Sequence, residues 1–319
     1  MSPTEAAEAE ITLRFLAAPT DAGQSGSVSA GRVLEWIDKA GYAAAAGWSG
    51  TYAVTAYVGN VRFTRPVEVG ELVEVTARVV QTGRSSMHIT VDVASGQPRT
   101  REMAPATRCL IIFVAVDEDG RSTPVPTLVP RTQGQELEER WAARRADLRA
   151  RVEAAMAGQV YTEAGTAPRV VMRFLAAPTD VNWGGKVHGG IVMRWIDEAA
   201  HVLATEWTGS ASNVAVYAGG VRFYRPLRIG HLVEVEARLL LTGTSSMHIS
   251  VHVRSGDPST GDLDLTTHSL IVFVPLDVDG NAVAARPWVP VSDEDVALHD
   301  HAQALVVMRN EVDAERHIP

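Results

Sequence analysis

The 319-residue chain has a single cysteine, Cys109, which excludes an internal disulfide and a cysteine-based zinc cluster. Cys109 lies in the apolar run 109–114, and we interpret it as a small buried core residue. No apolar run approaches the roughly 18 residues needed to span a bilayer. The first ten residues are acidic and lack the features of a signal peptide. These absences predict a cytoplasmic protein with no membrane partner.

Clusters of basic residues are also missing, and the formal net charge is −9. An acidic chain of this kind is poorly suited to nucleic acid, so we expect no nucleic-acid partner. Any anionic ligand must be bound by a local group of cations. With 46% hydrophobic and 21% charged residues, the composition is that of a packed globular protein.

The chain contains an internal duplication. The segment Arg14–Asp21 recurs letter for letter as Arg173–Asp180, 159 positions later. Further identical segments recur 159 or 160 positions later: Trp36-Ile37-Asp38 as Trp195-Ile196-Asp197, Val61-Arg62-Phe63 as Val221-Arg222-Phe223, and Ser85–Ile89 as Ser245–Ile249. The two copies predict domains at 11–130 and 170–290.

Each copy combines one helical pattern with several strand patterns. Residues 31–46 carry an apolar stripe at helical spacing, whereas 72–80 and 87–93 alternate apolar and polar residues, and 110–116 are continuously apolar. This order predicts an α+β domain. Because His88 and His248 alternate with apolar residues, we expect them to face solvent or a subunit contact.

The remaining segments are predicted to be helical. Residues 136–156 contain no glycine or proline and carry a sparse apolar stripe, which indicates an amphipathic surface helix within a connector at 131–169. Ser292, followed by three acidic residues, is a good helix start and predicts a helical tail at 291–319.

A glycine-rich loop at 180–190 leads into the helix that carries Asp197. Free backbone N–H groups at such a helix start favour a developing negative charge, as in an oxyanion site. Asn182 supplies an amide that can orient a water or a carbonyl. Asp197 follows Gly190 by about two helical turns and lies near the same face. Asp38 is the counterpart of Asp197 in the first copy.

Together, Asn182, Gly189-Gly190 and Asp197 resemble the pattern of the tandem hotdog-fold acyl-CoA thioesterases. The Arg-Phe-x-Arg-Pro and Thr-Gly-x-Ser-Ser-Met segments of both copies strengthen the resemblance. It implies two fused hotdog domains, each a long helix wrapped by an antiparallel sheet, paired side by side. It also implies hydrolysis of fatty acyl-CoA to acid and CoA, a homotrimer with six hotdogs, and no metal or cofactor other than the coenzyme A of the substrate.

In that family, composite sites take the amide and loop glycine from one hotdog and the acidic residue from the other. The candidate catalytic residues are therefore Asp38, Asn182 and Gly189 in one site and Asp197 in the other. The other site combines Asp197 with Gly23 and Ala30, lacks the amide, and is expected to be degenerate. Gly189 N–H would polarise the acyl carbonyl, and Asp38 would act as general base or as nucleophile.

Five further residues are candidates for binding substrate. His188 and Gly190 belong to the loop, Tyr42 follows Asp38 by one turn, and the cations Lys186 and Arg84 could meet the phosphates of CoA. Each has a plainer interpretation. His188 could be a hydrogen-bonding scaffold, Gly190 could serve helix packing, and either cation could be a solvated surface charge.

Two other functions remain open at this point. A hotdog enoyl-CoA hydratase or dehydratase would pair a histidine with a carboxylate, and only the second copy has His188. A non-catalytic acyl-CoA-binding sensor would be compatible with the degenerate first-copy loop.

Overall fold

The computed structural model describes residues 9–100 and 102–314. The acidic segment 1–8 and the last five residues of the predicted tail, 315–319, lie outside the described residues. Within the described part, no helix is long and apolar enough to cross a membrane.

The two copies fold into matching sets of elements. The first copy comprises β1 (Glu10–Leu16), α1 (Ala30–Ser49), β2 (Ala53–Val58), β3 (Val61–Arg62), β4 (Leu72–Thr82), β5 (Ser86–Gly96) and β6 (Ala104–Ala115). The connector contains α2 (Gln133–Ala157). The second copy and the tail comprise β7 (Arg169–Leu175), α3 (Gly189–Thr208), β8 (Asn213–Phe223), β9 (Leu232–Thr242), β10 (Met247–Gly256), β11 (Asp264–Pro275) and α4 (Asp293–Ala314).

One antiparallel sheet runs through both copies in the order β1-β4-β5-β6-β2-β8-β11-β10-β9-β7, with β3 also paired to β8. The copies join at β2 and β8, where Tyr57 lies opposite Arg222. Alternate residues of β4, such as Val73 and Val75, are fully buried in the core that contains α1 and α3. The predicted α+β architecture of two paired hotdog domains is confirmed.

Glycines bring α1 and α3 into close contact near their N-termini. A Cβ on Gly190 would lie 2.7 Å from the Cα of Glu35, and a Cβ on Gly31 would lie 2.8 Å from the Cα of Arg194. No larger residue fits without separating the helices, so the packing interpretation of Gly190 is confirmed. The close approach brings the first turn of each helix against the buried aspartate of the other.

The outer face of the second domain is covered by α4 and the end of α2. Its apolar contacts come from both helices and the sheet: Met156, Leu240, Leu270, Leu298, Ala302 and Leu305. His248 lies on the non-core side of β10 and is only 4% exposed. The expectation that it faces solvent or a subunit contact was therefore wrong, because this sheet face is already covered within the chain. His88 is half-buried, and burial together with the charge of Arg149 lowers its pKa to about 4.

A buried arginine ties three segments of the second domain together. Arg238 of β9 is 2% exposed and donates to Glu236 at 2.7 Å, to Glu294 of α4 at 2.7 Å and to the carbonyl of Thr162 at 2.9 Å. Its counterpart in β4, Arg78, pairs with Glu10 and Asp92 on a partly exposed surface. The arginine at this position is therefore a buried hydrogen-bond donor that links several segments in the second domain and a partner in surface ion pairs in the first.

Replacing Arg238 with alanine should lower the free energy of unfolding by about 3 kcal/mol, because Glu294 would lose its cation and Glu236 would keep only its ion pair with Arg254 at 3.0 Å among the described residues. Urea denaturation of the full chain would measure this. Arg78→Ala is the matched control and should cost less than about 1 kcal/mol, as expected of an exposed pair. Equal decreases in the free energy of unfolding for Arg238→Ala and Arg78→Ala would contradict the structural role assigned to Arg238.

Candidate active site

A cavity of about 260 Å³ opens where the two domains meet, and both domains line it. The first domain contributes mainly aromatic and carboxylate groups, including Asp38, Tyr42, Tyr52, Thr55 and Phe113. The second contributes the glycine loop and two cations, including Asn182, Trp183, Lys186, His188, Gly189 and Arg225. A concave, largely apolar cleft with a few converging polar groups is typical of a ligand site.

Asp38 lies on α1, is 2% exposed, and is held by groups from both domains. Its Oδ2 accepts a hydrogen bond from the Gly190 N–H at 2.9 Å, and its Oδ1 accepts one from the Thr55 hydroxyl at 2.6 Å. The Nδ1 atom of His188 lies 3.0 Å from Oδ2. The sequence prediction paired Asp38 with the α3 loop, and the structure brings them into direct contact.

His188 is the N-cap of α3, and its Nδ1 accepts a hydrogen bond from the Gly190 N–H at 3.1 Å. The same N–H donates to Asp38 Oδ2 at 2.9 Å, so it is shared between the imidazole and the carboxyl group. His188 therefore holds the start of α3 beside Asp38, whose two oxygens accept from Gly190 and Thr55.

Gly189 is the first residue of α3 and lines the cavity. The N–H of a first helical residue has no acceptor within its own helix, and we find none for it elsewhere in the described residues. A Cβ on Gly189 would lie 3.1 Å from Thr55 Oγ1 and 3.2 Å from Asp38 Oδ2. The absence of a side chain therefore lets the α3 N-terminus approach the carboxylate and keeps that N–H accessible.

Asn182 shapes the loop that precedes α3. Its Oδ1 accepts from the N–H groups of Gly184 at 2.9 Å and Lys186 at 3.1 Å. Its Nδ2 donates to the carbonyl of Val187 at 3.3 Å. The Asn182 side chain also lies within hydrogen-bonding reach of the Tyr52 hydroxyl, so it links the loop to the wall of the cavity formed by the first domain.

Of the four remaining predicted binding residues, two line the cavity and two do not. Tyr42 and Lys186 line the cavity, whereas Gly190 acts through its N–H on Asp38. Arg84 lies between β4 and β5, where its carbonyl accepts from Val125 N–H at 3.0 Å, and it does not line the cavity.

Thr55 and Tyr52 also line the cavity, and the sequence alone singles out neither of them. Burial, followed by the neighbouring Tyr42 and Asp38, raises the pKa of Tyr52 to about 12, so its hydroxyl stays protonated at neutral pH. Thr55 could have been found by comparing the copies, because the matching position holds Ala215. A threonine in a strand does not by itself indicate a functional role, but a threonine in one copy that is replaced by alanine in the other is a reason to examine that position.

Asp197, the second aspartate, has fewer hydrogen-bond partners than Asp38. Asp197 Oδ2 accepts from the Gly31 N–H at 2.9 Å, as Asp38 does from Gly190, but Oδ1 has no partner among the described residues. Ala215 replaces the threonine, and Ser29 replaces the histidine. Burial raises the pKa of Asp197 to about 6. The cavity at Asp38 does not reach it.

Comparison with known proteins gives consistent results. The family model described as the thioesterase superfamily matches residues 25–102 and again 184–261. The human cytosolic acyl coenzyme A thioester hydrolase is 24% identical over 296 residues, which cover 87% of this chain and 77% of the human protein. The acyl-CoA thioester hydrolase YciA of Salmonella typhimurium is 34% identical over 123 residues, 37% of this chain and 92% of YciA.

Among solved structures, one assigned to an oleoyl thioesterase from Lactobacillus plantarum superposes with a TM-score of 0.59 over 84% of this chain and 97% of that one. At 11% identity, this likeness concerns the fold alone. The duplicated family match and the YciA likeness show that the chain belongs to the thioesterase superfamily and carries that family's hotdog domain twice.

Proposed function

We propose that the protein hydrolyses fatty acyl-CoA to a free acid and CoA at one composite site formed by Asp38 of the first domain and Asn182 and Gly189 of the second. The names of its relatives support the reaction class. The observation that carries the proposal is the Asp38 carboxylate at the cavity wall, held by donors from both domains beside the unpaired Gly189 N–H.

In this mechanism the acyl carbonyl oxygen accepts from the Gly189 N–H at the start of α3, where the helix dipole also favours the negative charge of the tetrahedral intermediate. A carboxylate has about four lone pairs. The Gly190 N–H and the Thr55 hydroxyl occupy two of those on Asp38, which leaves lone pairs free for the reaction. The carboxylate either removes a proton from an attacking water, after which the tetrahedral intermediate collapses and expels the CoA thiolate, or attacks the carbonyl directly, expelling the thiolate and giving an anhydride that water then hydrolyses. In both routes the thiolate takes up a proton derived from water. Both routes need only water as co-reactant.

Substrate binding is assigned to groups around this centre. Lys186 lies on the cavity wall and Arg225 beside it, although Arg225 also pairs with the exposed Asp264. Both suit the phosphates of CoA, and Arg84 is retained as a more distant cation for the same purpose. His188 and Gly190 act by fixing the Asp38 carboxylate, and Tyr42 contributes apolar wall for the acyl group.

The Asp197 site is proposed to be inactive because it lacks three of the groups that serve Asp38. Gly23, Ser29 and Ala215 occupy the positions of the amide, the imidazole and the hydroxyl. What remains is a carboxyl that accepts the N–H of Gly31 and ties α3 to α1. Its role is structural.

A homotrimer with six hotdogs is proposed for the assembly. The sheet ends at β1 and β7, and each of these strands pairs on one edge only within the described residues. Such edges favour association with further copies. Light scattering should give a mass of about 103 kDa, three times the 34.3 kDa of the chain; a mass of one chain would contradict the trimer.

Substituting Asp38 with asparagine should lower kcat for thiol release by about 10²- to 10⁴-fold, the contribution typical of a positioned acid–base group. The amide keeps the shape but removes the basic lone pair. The assay is release of CoA from a panel of acyl-CoAs. Asp197→Asn is the matched control and should keep at least half the activity. Comparable losses from both variants would contradict a single active site, and water addition to an enoyl-CoA without thiol release would favour a hydratase.

Asp197→Asn should also stabilise the protein at high pH. Burial raises the pKa of Asp197 from 3.8 to about 6. Between these values the folded protein binds a proton that the unfolded chain has lost, so stability falls as pH rises through this window. Above it the cost is about 3 kcal/mol, at 1.36 kcal/mol per pKa unit. The variant, which never ionises, should melt a few degrees higher than wild type near pH 8 and at the same temperature near pH 4. A pH-independent difference would contradict this.

A further inference from the structure

One wall of the cavity is a stacked aromatic pair that crosses the domain boundary. Trp183 of the second-domain loop lies 4.6 Å from Tyr42 of α1, ring centroid to ring centroid, with an angle of 4° between the planes. Trp183 is 69% exposed, although both residues line the cavity. A largely exposed tryptophan held in a defined stack beside a cleft is better suited to contacting a ligand than to stabilising a core.

The loop that carries Trp183 is fixed in place by its neighbours. Asn182 accepts hydrogen bonds from the N–H groups of Gly184 and Lys186. The Tyr52 ring occupies the space that a side chain on Gly184 would need. Trp183 is thus held between two fixed residues, and its indole position is set before any ligand arrives.

Within the described residues, the stack of Trp183 on Tyr42 occurs on one side of the molecule only, whereas on the other side His201 packs edge-on against Phe273 at 5.8 Å. The positions equivalent to Trp183, Tyr42 and Tyr52 are occupied by Gln24, His201 and Ser212. Gln24 is exposed. The side that holds the complete Asp38 site therefore also holds the Tyr42–Trp183 stack, whereas the Asp197 side lacks both. Because both sides share the fold but only one has the stack, the stack is not needed for folding. Its occurrence beside the complete site therefore favours a role in the reaction.

Tyr42 follows Asp38 by four residues on α1, so it lies about 6 Å further along the same helix face. An acyl group whose carbonyl carbon lies beside Asp38 and Gly189 therefore meets the Tyr42 ring within a few carbon atoms. Phe113 packs edge-on against Tyr42 at 6.5 Å and lines the cavity beside it. The acyl chain has limited depth in that direction.

We propose that the Tyr42–Trp183 stack sets the maximum length of the acyl chain and makes the enzyme selective for short- and medium-chain acyl-CoA. The inference rests on the proposed thioesterase function. A cavity of about 150 Å³ holds a benzene molecule. The 260 Å³ here also includes the space beside Lys186 and Arg225 that is assigned to CoA, so the remainder holds a thioester group and roughly four to eight acyl carbons. Longer chains must displace Trp183 from Tyr42.

The test compares thiol release by wild type, Trp183→Ala, Tyr42→Ala, Tyr42→Phe and Gln24→Ala on straight-chain acyl-CoAs from two to sixteen carbons. Wild type should have its highest kcat/KM between about four and eight carbons. Each alanine variant of the stack should raise kcat/KM for sixteen carbons relative to six by about tenfold or more, the scale on which apolar pockets discriminate chain lengths. Tyr42→Phe, which keeps the ring, and Gln24→Ala, at the matching position of the other copy, should keep the wild-type profile.

The outcomes separate this inference from the proposed function. Thiol release by wild type with the same chain-length profile in all five proteins would overturn the role of the stack and leave the thioesterase intact. An equal rise in KM for every chain length in Trp183→Ala would also overturn it and would assign Trp183 to the CoA moiety. No thiol release from any substrate by wild type would instead contradict the proposed function itself.

Discussion

The rest of the structure depends on one buried carboxylate at the seam between two helices. Burying a charge costs several kcal/mol unless donors replace the lost water. At Asp38 the donors come from α3 of the other domain and from the adjacent strand β2. They reach it only because glycines allow α1 and α3 to touch. The close approach of α1 and α3 is therefore needed for helix packing, for the pairing of the domains and for the chemistry of the site.

Duplication explains how the two sites diverged. Each helix start still donates a glycine N–H to the aspartate of the other helix, at 2.9 Å in both cases. That shared contact holds the domains together and constrains both copies. The amide, imidazole and hydroxyl serve only one site, and their positions in the other hold Gly23, Ser29 and Ala215. Groups needed for packing are duplicated, whereas those that serve the cavity are not.

Much of this arrangement could be predicted from the sequence. The repeat and the two periodicities gave the fold class, and the helix predicted over 31–46 spans Ala30–Ser49. The pairing of Asp38 with the Gly189 loop was also anticipated. Those features depend on local pattern or on family resemblance, both of which the sequence displays directly.

The features that escaped prediction depend on contacts between distant segments. Thr55 bonds to Asp38 across 17 positions, and His248 is buried because the outer sheet face lies beneath α2 and α4. The stack of Trp183 on Tyr42 joins two domains. In each case the residue type is ordinary, and only its partner in the fold gives it a role.

We propose that each chain holds one complete site, made by both domains. Isothermal titration calorimetry of the full chain with a non-hydrolysable thioether analogue of a medium-chain acyl-CoA measures this directly. The account predicts one analogue bound per chain, with Asp197→Asn binding as wild type does. Two analogues bound per chain with similar affinity would contradict it.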